Sequence, residues 1–516
     1  MSPLPREIPV LVVGAGPTGL LLAAELRRRE VPTLLIDARS EALHWDRATV
    51  IHPLSLELFE SLGLIEEFLA AGCQQRRILI HADGCRLAEL DLADCGSRYG
   101  FNLGLSEEVT ESILLAHLER QGGGVQRSCR LVGLRPQAEG VIATIAGPEG
   151  EQQLLARWVV GCEGLRSTTR ELSGIAFEGH PIARPWAVFD ATVDGWSDAY
   201  EANAAYLDDS PLILTALPGR RWRVYLRPTS EEGDLVAEAA AVLQRYLPGA
   251  RFTEVENPSR FHCHTRVAGR FRSGAVFLAG DAAHVCSPAE GHGMNCGLHD
   301  AANLVWKLAL VQHGAAGETL LDSYEAERRP VAEQITRSGD ATEEAHGLQG
   351  QEERAARNRA IAAMAADPAA RQHEVVAETE MNLTYAGSPI TCGADLPLGG
   401  GQRLPTTMAL PAAAGGGFLQ EHTHRRGHTL LLLGDRAADA AELTALQAAL
   451  ERHAATSRLV EAVVVLPLDQ PHTLDLGPLT LLAVRPDGFI GLRADADHLP
   501  AVQRYEDLVL QNSSGY

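Results

Sequence analysis

Two glycine-rich segments, far apart in the chain, constrain the fold of this 516-residue protein more than any other sequence feature. The first is GAGPTG at residues 14–19; the second starts with GDAAH at residues 280–284 and continues to GHGMN at residues 291–295. An apolar run, residues 8–13, leads into the first segment, and apolar residues recur at helical spacing over residues 20–29. A strand, a tight turn and a helix in this order predict the start of an α/β fold with a buried parallel sheet.

The first segment has the features expected of a dinucleotide-binding turn. Gly14 permits the tight turn, Gly16 lets the backbone approach a pyrophosphate, and Gly19 lets the helix pack closely on the strand. A second strand is predicted over residues 33–36 and ends in Asp37, whose carboxylate can accept hydrogen bonds from an adenosine ribose. These residues predict binding of the ADP half of a dinucleotide, and FAD and NAD share that half.

The second segment predicts the other end of a long cofactor. A short apolar strand, residues 275–278, precedes it, and a helix is predicted from Gly291 to about residue 311. A glycine-rich helix N-terminus with free N–H groups suits an anion such as the pyrimidine end of a reduced flavin. Asp281, at the end of its strand, is placed to meet the ribityl hydroxyls. Two such segments in one chain therefore predict FAD, held at both ends.

Further stretches give these segments a specific resemblance. They are Arg47-Ala48 with VIHP at residues 50–53, GCEGLRSTTR at residues 161–170, and the continuation of the second segment to residue 308. Together they resemble the class A flavoprotein monooxygenases, the para-hydroxybenzoate hydroxylase superfamily of FAD-dependent aromatic hydroxylases. The chain looks most similar to the phenol and polyketide hydroxylases that carry an added carboxy-terminal domain.

The resemblance implies an α/β fold with three units. A glutathione-reductase-like FAD-binding domain would comprise residues 1–180 and 271–385, the second part with additional helices. An inserted antiparallel-sheet substrate domain would occupy residues 181–270, and a thioredoxin-like α/β domain residues 386–516. This last domain has no C-x-x-C pair, so disulfide exchange is not expected of it and a packing or dimerisation role is the simpler interpretation.

The resemblance also assigns roles along the cofactor. Asp37 would bind the adenosine ribose, Arg47 the pyrophosphate or ribityl region, and Asp281 the ribityl chain. Pro288 and Gly293 would form the backbone surroundings of the reacting flavin, without a committed acid or base. The residues expected to cradle the pyrophosphate are Gly14, Gly16, Pro17, Thr18 and Gly19, and those expected around the flavin ring are Gly291, Gly293, Met294 and Asn295.

Two acidic residues depart from the family pattern. In the motif that serves both FAD and the nicotinamide donor, with Gly164 and Arg166, the usual Asp is replaced by the longer Glu163. A glutamine that commonly contacts the flavin phosphates appears instead as Glu107 or Glu108. Arg166 keeps a positive charge for a phosphate, so we expect NADPH or NADH as co-substrate.

The middle of the chain is the predicted substrate region. Residues 186–193 and 204–227 alternate as antiparallel strands do. Dioxygen and a small aromatic substrate are the implied reactants, and no cluster of arginine or histidine demands a charged substrate. The candidate lining residues are Trp186, Phe189, Tyr206, Leu214, Trp222 and Tyr225.

The implied activity is hydroxylation of a phenolic or polyketide-like compound through a flavin C4a-hydroperoxide. Two alternatives use the same oxygen chemistry: Baeyer–Villiger insertion and inactivation of an antibiotic. A third, of another class, is a flavin-binding scaffold without turnover, and it is motivated by Glu163 and the missing glutamine.

Composition and charge exclude several other partners. A formal charge of −22 argues against nucleic acid and anionic membranes as partners. Nine cysteines show neither a C-x-x-C pair nor zinc-like spacing, so no disulfide framework and no metal site is expected. His284 and His292 lack the neighbouring carboxylate or cysteine pattern of metal ligands, and His284 is expected to form hydrogen bonds within its motif. With a strand predicted near the start and no long apolar stretch, we expect a cytoplasmic monomer or homodimer.

Overall fold

The computed structural model describes residues 4–44, 48–196, 200–230, 232–410, 416–468 and 474–511. Numbered in chain order, the strands are β1 Glu7–Val13, β2 Thr33–Ile36, β3 Val50–Ile51, β4 Cys73–Gln75, β5 Arg77–Ala82, β6 Cys85–Asp91, β7 Asn102–Gly104, β8 Val125–Gln126, β9 Arg130–Gln137, β10 Gly140–Gly147, β11 Gly150–Gly161, β12 Phe177–Pro181, β13 Trp186–Asp194, β14 Ala202–Tyr206, β15 Leu212–Leu217, β16 Arg221–Leu226, β17 Arg251–Phe261, β18 His264–Ala268, β19 Arg272–Ser273, β20 Val276–Leu278, β21 His284–Val285, β22 His428–Asp435, β23 Val460–Leu468, β24 Leu479–Val484 and β25 Ile490–Ala494. The helices are α1 Pro17–Arg28, α2 Pro53–Ser61, α3 Ile65–Ala71, α4 Glu107–Arg120, α5 Thr168–Leu172, α6 Leu235–Tyr246, α7 His292–Gln312, α8 Asp322–Gly347, α9 Gln351–Ala366, α10 Pro368–Glu378, α11 Ala440–Ala454 and α12 His498–Leu510.

The first sheet has a parallel centre, as predicted. β1 pairs in parallel with β2 and β11, and β11 pairs in parallel with β20. Val10 and Val12 pack on one face in the cluster that contains α1 and α7, whereas Leu11 and Val13 pack against β9 and β10 on the other. Both faces of β1 are therefore covered, which explains why its sequence is a continuous apolar run. The strand–turn–helix start predicted from the sequence is confirmed.

The second sheet has seven strands in the order β17-β13-β16-β15-β14-β5-β6. Its centre is antiparallel, as the alternating sequence predicted. However, β5 pairs in parallel with β14, so two strands from the first 180 residues complete this sheet. The predicted substrate unit of residues 181–270 therefore lacks part of its own sheet. The pairing joins distant segments, and local sequence pattern does not encode it.

The carboxy-terminal sheet has four strands in the order β23-β22-β24-β25. β22 and β23 are parallel and the other two pairs are antiparallel. The helix α11 connects β22 to β23, and α12 follows β25. A buried ion pair between Arg485, which follows β24, and Glu327 of α8 joins this sheet to the preceding helices.

None of the helices in the described part of the chain has the length and apolar character needed to cross a bilayer.

Candidate functional site

Three adjacent parallel strands bring the sequence motifs to one edge of the first sheet. β1 ends before Gly14, β11 ends at Gly161, and β20 ends just before Gly280. Backbone hydrogen bonds continue past the strand ends, from Cys162 N to Val13 O at 2.7 Å and from Ala279 N to Gly161 O at 3.0 Å. Ligands in α/β proteins bind at the carboxyl ends of such strands. The three motifs therefore form one site.

Some of the motif glycines are required by the protein's own packing. Gly14 has a φ of 102°, and a Cβ there would lie 2.5 Å from the carbonyl oxygen of Cys162. A Cβ on Gly280 would lie 2.7 Å from the hydroxyl oxygen of Thr18. Gly19 packs its α-carbon against the carbonyl of Gly14. The first and second glycine segments are thus in direct contact, through Thr18 and Gly280.

Two other glycines face open space. The nearest protein atom to a Cβ built on Gly16 is Glu111 Oε1, at 3.8 Å, and for Gly293 it is Cys286 Sγ, also at 3.8 Å. The protein itself would tolerate a larger side chain at both positions. Absence of a side chain there keeps room for a ligand that touches the backbone, which is the role that a cofactor-binding glycine has.

A cavity of about 970 Å³ runs along this edge and continues beneath the second sheet. It contacts both glycine segments, so a single elongated molecule can reach from one to the other. Gly19 and Asn295 lie outside its lining, and Arg47 lies outside the described residues. The predicted site residues that line it are Gly14, Gly16, Pro17, Thr18, Asp37, Glu163, Gly164, Arg166, Asp281, Pro288, Gly291, Gly293 and Met294.

Asp37 braces the first turn as well as lining the cavity. Its Oδ2 accepts a hydrogen bond from Ala15 N at 2.7 Å, and its Oδ1 accepts one from Arg39 N at 2.8 Å. These bonds hold the carboxylate at the end of β2 beside the glycine turn. Its contact with a ribose stays a prediction.

Glu163 is accommodated by the start of α5. Its Oε1 accepts from the amide and the hydroxyl of Thr169 at 2.8 and 2.6 Å, and its Oε2 accepts from Ser167 Oγ at 2.7 Å. Burial raises the pKa of this carboxyl, and the hydrogen bonds from Thr169 and Ser167 oppose that rise. The extra methylene is therefore used to reach the first turn of the helix.

Arg170 is a site residue that sequence reasoning missed. Its Nη1 donates to Ala282 O at 2.9 Å and its Nη2 donates to Leu165 O at 2.8 Å, while its guanidinium lies over Phe177. It thereby joins the 161–170 motif to the GDAAH turn. Arg166, the exposed arginine four residues earlier that was expected to face a phosphate, lines the cavity, and its contact with a phosphate stays a prediction.

Acidic residues of α4 lie on the cavity wall, in the segment where the resemblance implies a glutamine. Glu107 lines the cavity and so does Glu111, one turn further along the helix. Glu111 is the residue closest to Gly16, so its carboxylate adjoins the expected pyrophosphate position. Ser106 caps this helix by accepting a hydrogen bond from Val109 N.

A buried ion-pair network supports the GDAAH turn from behind. Asp300 Oδ2 accepts from Gly280 N at 2.9 Å and lies 2.7 Å from His284 Nε2, while its Oδ1 accepts from Arg328 Nε at 2.7 Å. Burial raises the pKa of Asp300, but His284 and Arg328 together lower it to about 2. His284 is thus a hydrogen-bonding residue of its motif, as expected. Asp300 and Arg328 were missed because they carry no local motif.

Asn295 acts through its side chain. Its Oδ1 accepts from His52 N at 3.0 Å, and its Nδ2 donates to Val50 O and Gly291 O, each at 2.9 Å. The residue clamps β3 to the start of α7, where the first N–H groups of the helix have no partner within the helix. That those N–H groups face a flavin ring stays a prediction.

Four of the six predicted substrate residues do not face the cavity. Trp186 and Tyr225 line it, but the other four pack on the opposite face of the second sheet, in the core covered by α6. Successive side chains of a strand point to opposite faces of the sheet. The predicted substrate residues were chosen for their aromatic or apolar side chains, and such side chains occur on both faces. The four residues to be corrected are Phe189, Tyr206, Leu214 and Trp222.

Strand alternation could have found the correct face. Ile213 lies opposite Tyr225 in the β15–β16 pairing and lines the cavity, as do Thr215 and Asn203 on the same face. Residues directly opposite each other on paired strands share a face, so the assignment of Tyr225 to the cavity also assigns Ile213 to it. His346 of α8 also lines the cavity, and only the folded chain brings it there.

Comparison with known proteins agrees with this site. Residues 7–339 match the family model described as FAD binding domain. The chain is 34% identical over 334 residues to the 3-(3-hydroxy-phenyl)propionate/3-hydroxycinnamic acid hydroxylase of Mycolicibacterium smegmatis, an alignment that spans 64% of this chain and only 59% of that protein. It is 30% identical over 525 residues to the 12-dehydrotetracycline 5-monooxygenase/anhydrotetracycline 6-monooxygenase of Streptomyces rimosus, which covers 93% of this chain and 94% of that one.

A solved structure has the same fold over nearly the whole chain. It is the OxyS anhydrotetracycline hydroxylase from Streptomyces rimosus, with a TM-score of 0.76 and 28% identity, covering 97% of this chain and 99% of that one. The family model spans more than half of the chain, and most residues that line the cavity lie within the matched range. This chain therefore belongs to the FAD binding domain family of flavoprotein aromatic hydroxylases, and FAD is its cofactor.

Proposed function

We propose that this protein is a monooxygenase that uses FAD, dioxygen and NADPH or NADH to hydroxylate a phenolic or polyketide-like aromatic substrate. One observation carries the proposal: a single cavity contacts both flavin segments and the inward face of the second sheet. When bound, FAD supplies the redox and oxygen chemistry. A substrate beneath the sheet would lie against the flavin end of the same cavity.

The residues of this chain have the task of holding the reactants and excluding water. Trp186 and Ile213 supply apolar walls, and the Tyr225 hydroxyl lies 3.3 Å from Thr49 Oγ1. Oxygen transfer to an aromatic carbon requires a pocket that is closed to water when its reactants are bound, more than a set of protein acids and bases. Pro288 and Gly293 line the cavity, where they would form the backbone surroundings of the flavin.

The polar groups on the cavity wall favour an uncharged substrate with hydroxyl or carbonyl groups. Thr215, Asn203 and His346 line the substrate end. Burial, with Arg227 and Arg357 nearby, lowers the pKa of His346 to about 4, so its imidazole is neutral near pH 7. Neutral donors and acceptors suit phenol and quinone oxygens. The nearly full-length alignment with the tetracycline monooxygenase supports a polyketide-like substrate over a simple phenol.

The test is substrate-stimulated oxidation of NADPH or NADH in air by the FAD-loaded protein, with a panel of phenols and fused-ring aromatics. We expect faster oxidation with a fused-ring phenol and a product that gains one oxygen atom on a ring carbon. A product with oxygen inserted beside a carbonyl would favour Baeyer–Villiger chemistry, and a modified antibiotic would favour inactivation. No stimulation by any compound would favour a flavin-binding scaffold.

We also propose the finer domain organisation. The FAD-binding domain comprises residues 1–180 and 271–385 apart from β5 and β6, which join residues 181–270 in the substrate sheet. Residues 386–516 form a thioredoxin-like domain; the order of its four strands and the flanking α11 and α12 support this assignment. The buried Arg485–Glu327 pair favours a packing role for it. Limited proteolysis that released this domain as a stable fragment, with FAD retained by the rest, would argue against that role.

A cytoplasmic location fits the thiol chemistry. All nine cysteines lie among the described residues and none is in a disulfide. Free cysteines persist in reducing compartments, where NADPH and NADH are also available. Fractionation of cells expressing the full chain, with FAD absorbance as the readout, tests this proposal.

A further inference from the structure

Three buried side chains from distant parts of the chain converge beside the flavin end of the cavity. They are His52 after β3, His292 at the start of α7, and Glu380 after α10, and they are 1%, 6% and 4% exposed. One potential ligand atom of each lies within 4.8 Å of those of the other two. The two imidazole ring centres are 5.0 Å apart.

Polar atoms of this cluster lack hydrogen-bond partners within the described part of the chain. They are Nε2 of His52, both ring nitrogens of His292 and both carboxylate oxygens of Glu380. An unsatisfied buried polar group costs about 1–3 kcal/mol, so several in contact need an explanation. Glu380 is held in place by the end of α10: it follows the C-cap Thr379 with a φ of 59°, and Met381 N donates back to Val376 O at 2.9 Å.

The other nitrogen of each imidazole has an acceptor beside it. His52 Nδ1 lies 3.1 Å from Asn102 Oδ1, and His292 Nδ1 lies 3.3 Å from Glu290 Oε2. An N–H at His52 Nδ1 directed to the Asn102 oxygen leaves a lone pair on its Nε2. Metal-binding histidines have this arrangement, in which a second group orients the ring and sets the tautomer. Glu290 is near enough to His292 to orient that ring by its charge, but the two side chains form no hydrogen bond.

In a second buried cluster of potential metal ligands, the polar atoms have hydrogen-bond partners within the protein. His284, Cys296 and Asp300 also have potential ligand atoms within 4.8 Å of one another. There the guanidinium of Arg328 donates to Asp300 Oδ1 at 2.7 Å and to Cys296 Sγ at 3.1 Å. A side-chain cation thus fills that cluster. At Glu380, none of the described residues forms a hydrogen bond with the carboxylate.

We propose that His52, His292 and Glu380 bind a divalent transition-metal ion, and that zinc suits them best. Two imidazoles and one carboxylate are a common zinc donor set, with water or another oxygen as the fourth ligand. The ion would tie the ends of β3 and α10 to the start of α7, at the loop that contains Gly291. Its role would be to hold the flavin end of the cavity in shape. Sequence spacing did not reveal the site because its residues come from three separate segments.

The test is the metal content of untagged, FAD-loaded protein purified without chelators and desalted, measured by mass spectrometry for zinc, iron, manganese, cobalt, nickel and copper. We expect about one zinc per chain in the wild type. The Glu380→Gln variant should contain at most about a tenth of the zinc per chain of the wild type, because an amide is a much weaker zinc ligand than a carboxylate. Glu378→Gln is the matched control: this neighbouring acid is outside the cluster, and its variant should keep the zinc.

Two results would overturn the proposal. One is a wild type that holds less than about 0.1 metal per chain even after incubation with zinc sulfate and desalting. The other is zinc retained at the wild-type level by Glu380→Gln. If a variant fails to fold, the wild type still decides: added zinc should raise the thermal midpoint of metal-stripped protein, and an unchanged midpoint argues for ordered water in the cluster instead.

Discussion

The carboxylate of Glu163 accepts hydrogen bonds from both the amide and the hydroxyl of Thr169, at 2.8 and 2.6 Å. With the bond from Ser167, this makes the side chain a cap on the first turn of α5. An aspartate, one methylene shorter, would not reach the same atoms from the same backbone position. The start of α5 therefore satisfies the carboxylate of Glu163 locally.

Replacing Glu163 with Asp should weaken FAD binding about tenfold and leave the rate of flavin reduction by NADPH unchanged or lower. The reason is loss of one or more hydrogen bonds of about 1 kcal/mol each at the cavity wall. Fluorescence titration of the apoprotein with FAD measures the affinity, and stopped-flow absorbance measures the reduction. Glu163→Gln, which keeps the length, is the matched control. A faster reduction in Glu163→Asp would show that the longer side chain is a defect.

Ile213 and Leu214 are neighbours on β15 that face opposite sides of the sheet, so they separate substrate contacts from core packing. Ile213→Ala should raise KM for the aromatic substrate several-fold with little loss of stability, because the side chain lines the cavity. Leu214→Ala should cost about 2–5 kcal/mol of stability, because the side chain is fully buried. Its KM should stay near the wild-type value. Steady-state kinetics and denaturant unfolding check both variants, and equal effects on KM would contradict the assigned faces.

The Arg485–Glu327 pair should contribute strongly to the attachment of the carboxy-terminal sheet. Both side chains are fully buried, and Glu327 also accepts a hydrogen bond from Lys307. Arg485 also pairs with Asp487 at 2.6 Å, so its removal leaves two buried carboxylates with Lys307 as their shared cation. Arg485→Ala should therefore destabilise the protein by about 3–5 kcal/mol. The control is Arg120→Ala, which removes an exposed partner of Glu67 and should cost less than about 1 kcal/mol. Calorimetry measures both, and similar losses would contradict the prediction.

His428 should make the protein less stable as the pH falls from 7 to 5. Burial, followed by the charge of Arg485, lowers the pKa of this imidazole to about 3. In the unfolded chain its pKa is about 6.5, so below that pH the unfolded state takes up a proton that the folded state does not. This difference lowers the free energy of unfolding by about 2 kcal/mol at pH 5.

The His428→Gln variant removes that titration. Its unfolding midpoint should therefore fall less between pH 7 and pH 5 than that of the wild type, when both are followed by calorimetry. Gln can keep a hydrogen bond to the Tyr505 hydroxyl, which lies 3.1 Å from His428 Nε2. Parallel curves for the two proteins would mean that His428 is not a neutral buried group.

The cofactor end of the site was largely readable from the sequence. Gly14, Gly280 and Asp37 follow directly from strands, so their places at one sheet edge depend only on local pattern and on parallel pairing. The residues at the substrate end of the cavity could not be predicted in this way. Trp222 and Tyr225 are both aromatic residues of one strand, yet they lie on opposite faces, and the face that meets the cavity depends on what packs against each side.

The local physics of the chain determined the elements themselves: the buried strand, the glycine turn and the helix form wherever their residues occur in that order. Contacts between distant segments decided the rest. Pairing of β5 with β14, the Arg328–Asp300 support of the GDAAH turn, and the meeting of His52, His292 and Glu380 each join residues that have no pattern in common. Such contacts depend on which elements the fold packs against one another. Packing acts in three dimensions, so these contacts leave no periodic pattern in the sequence.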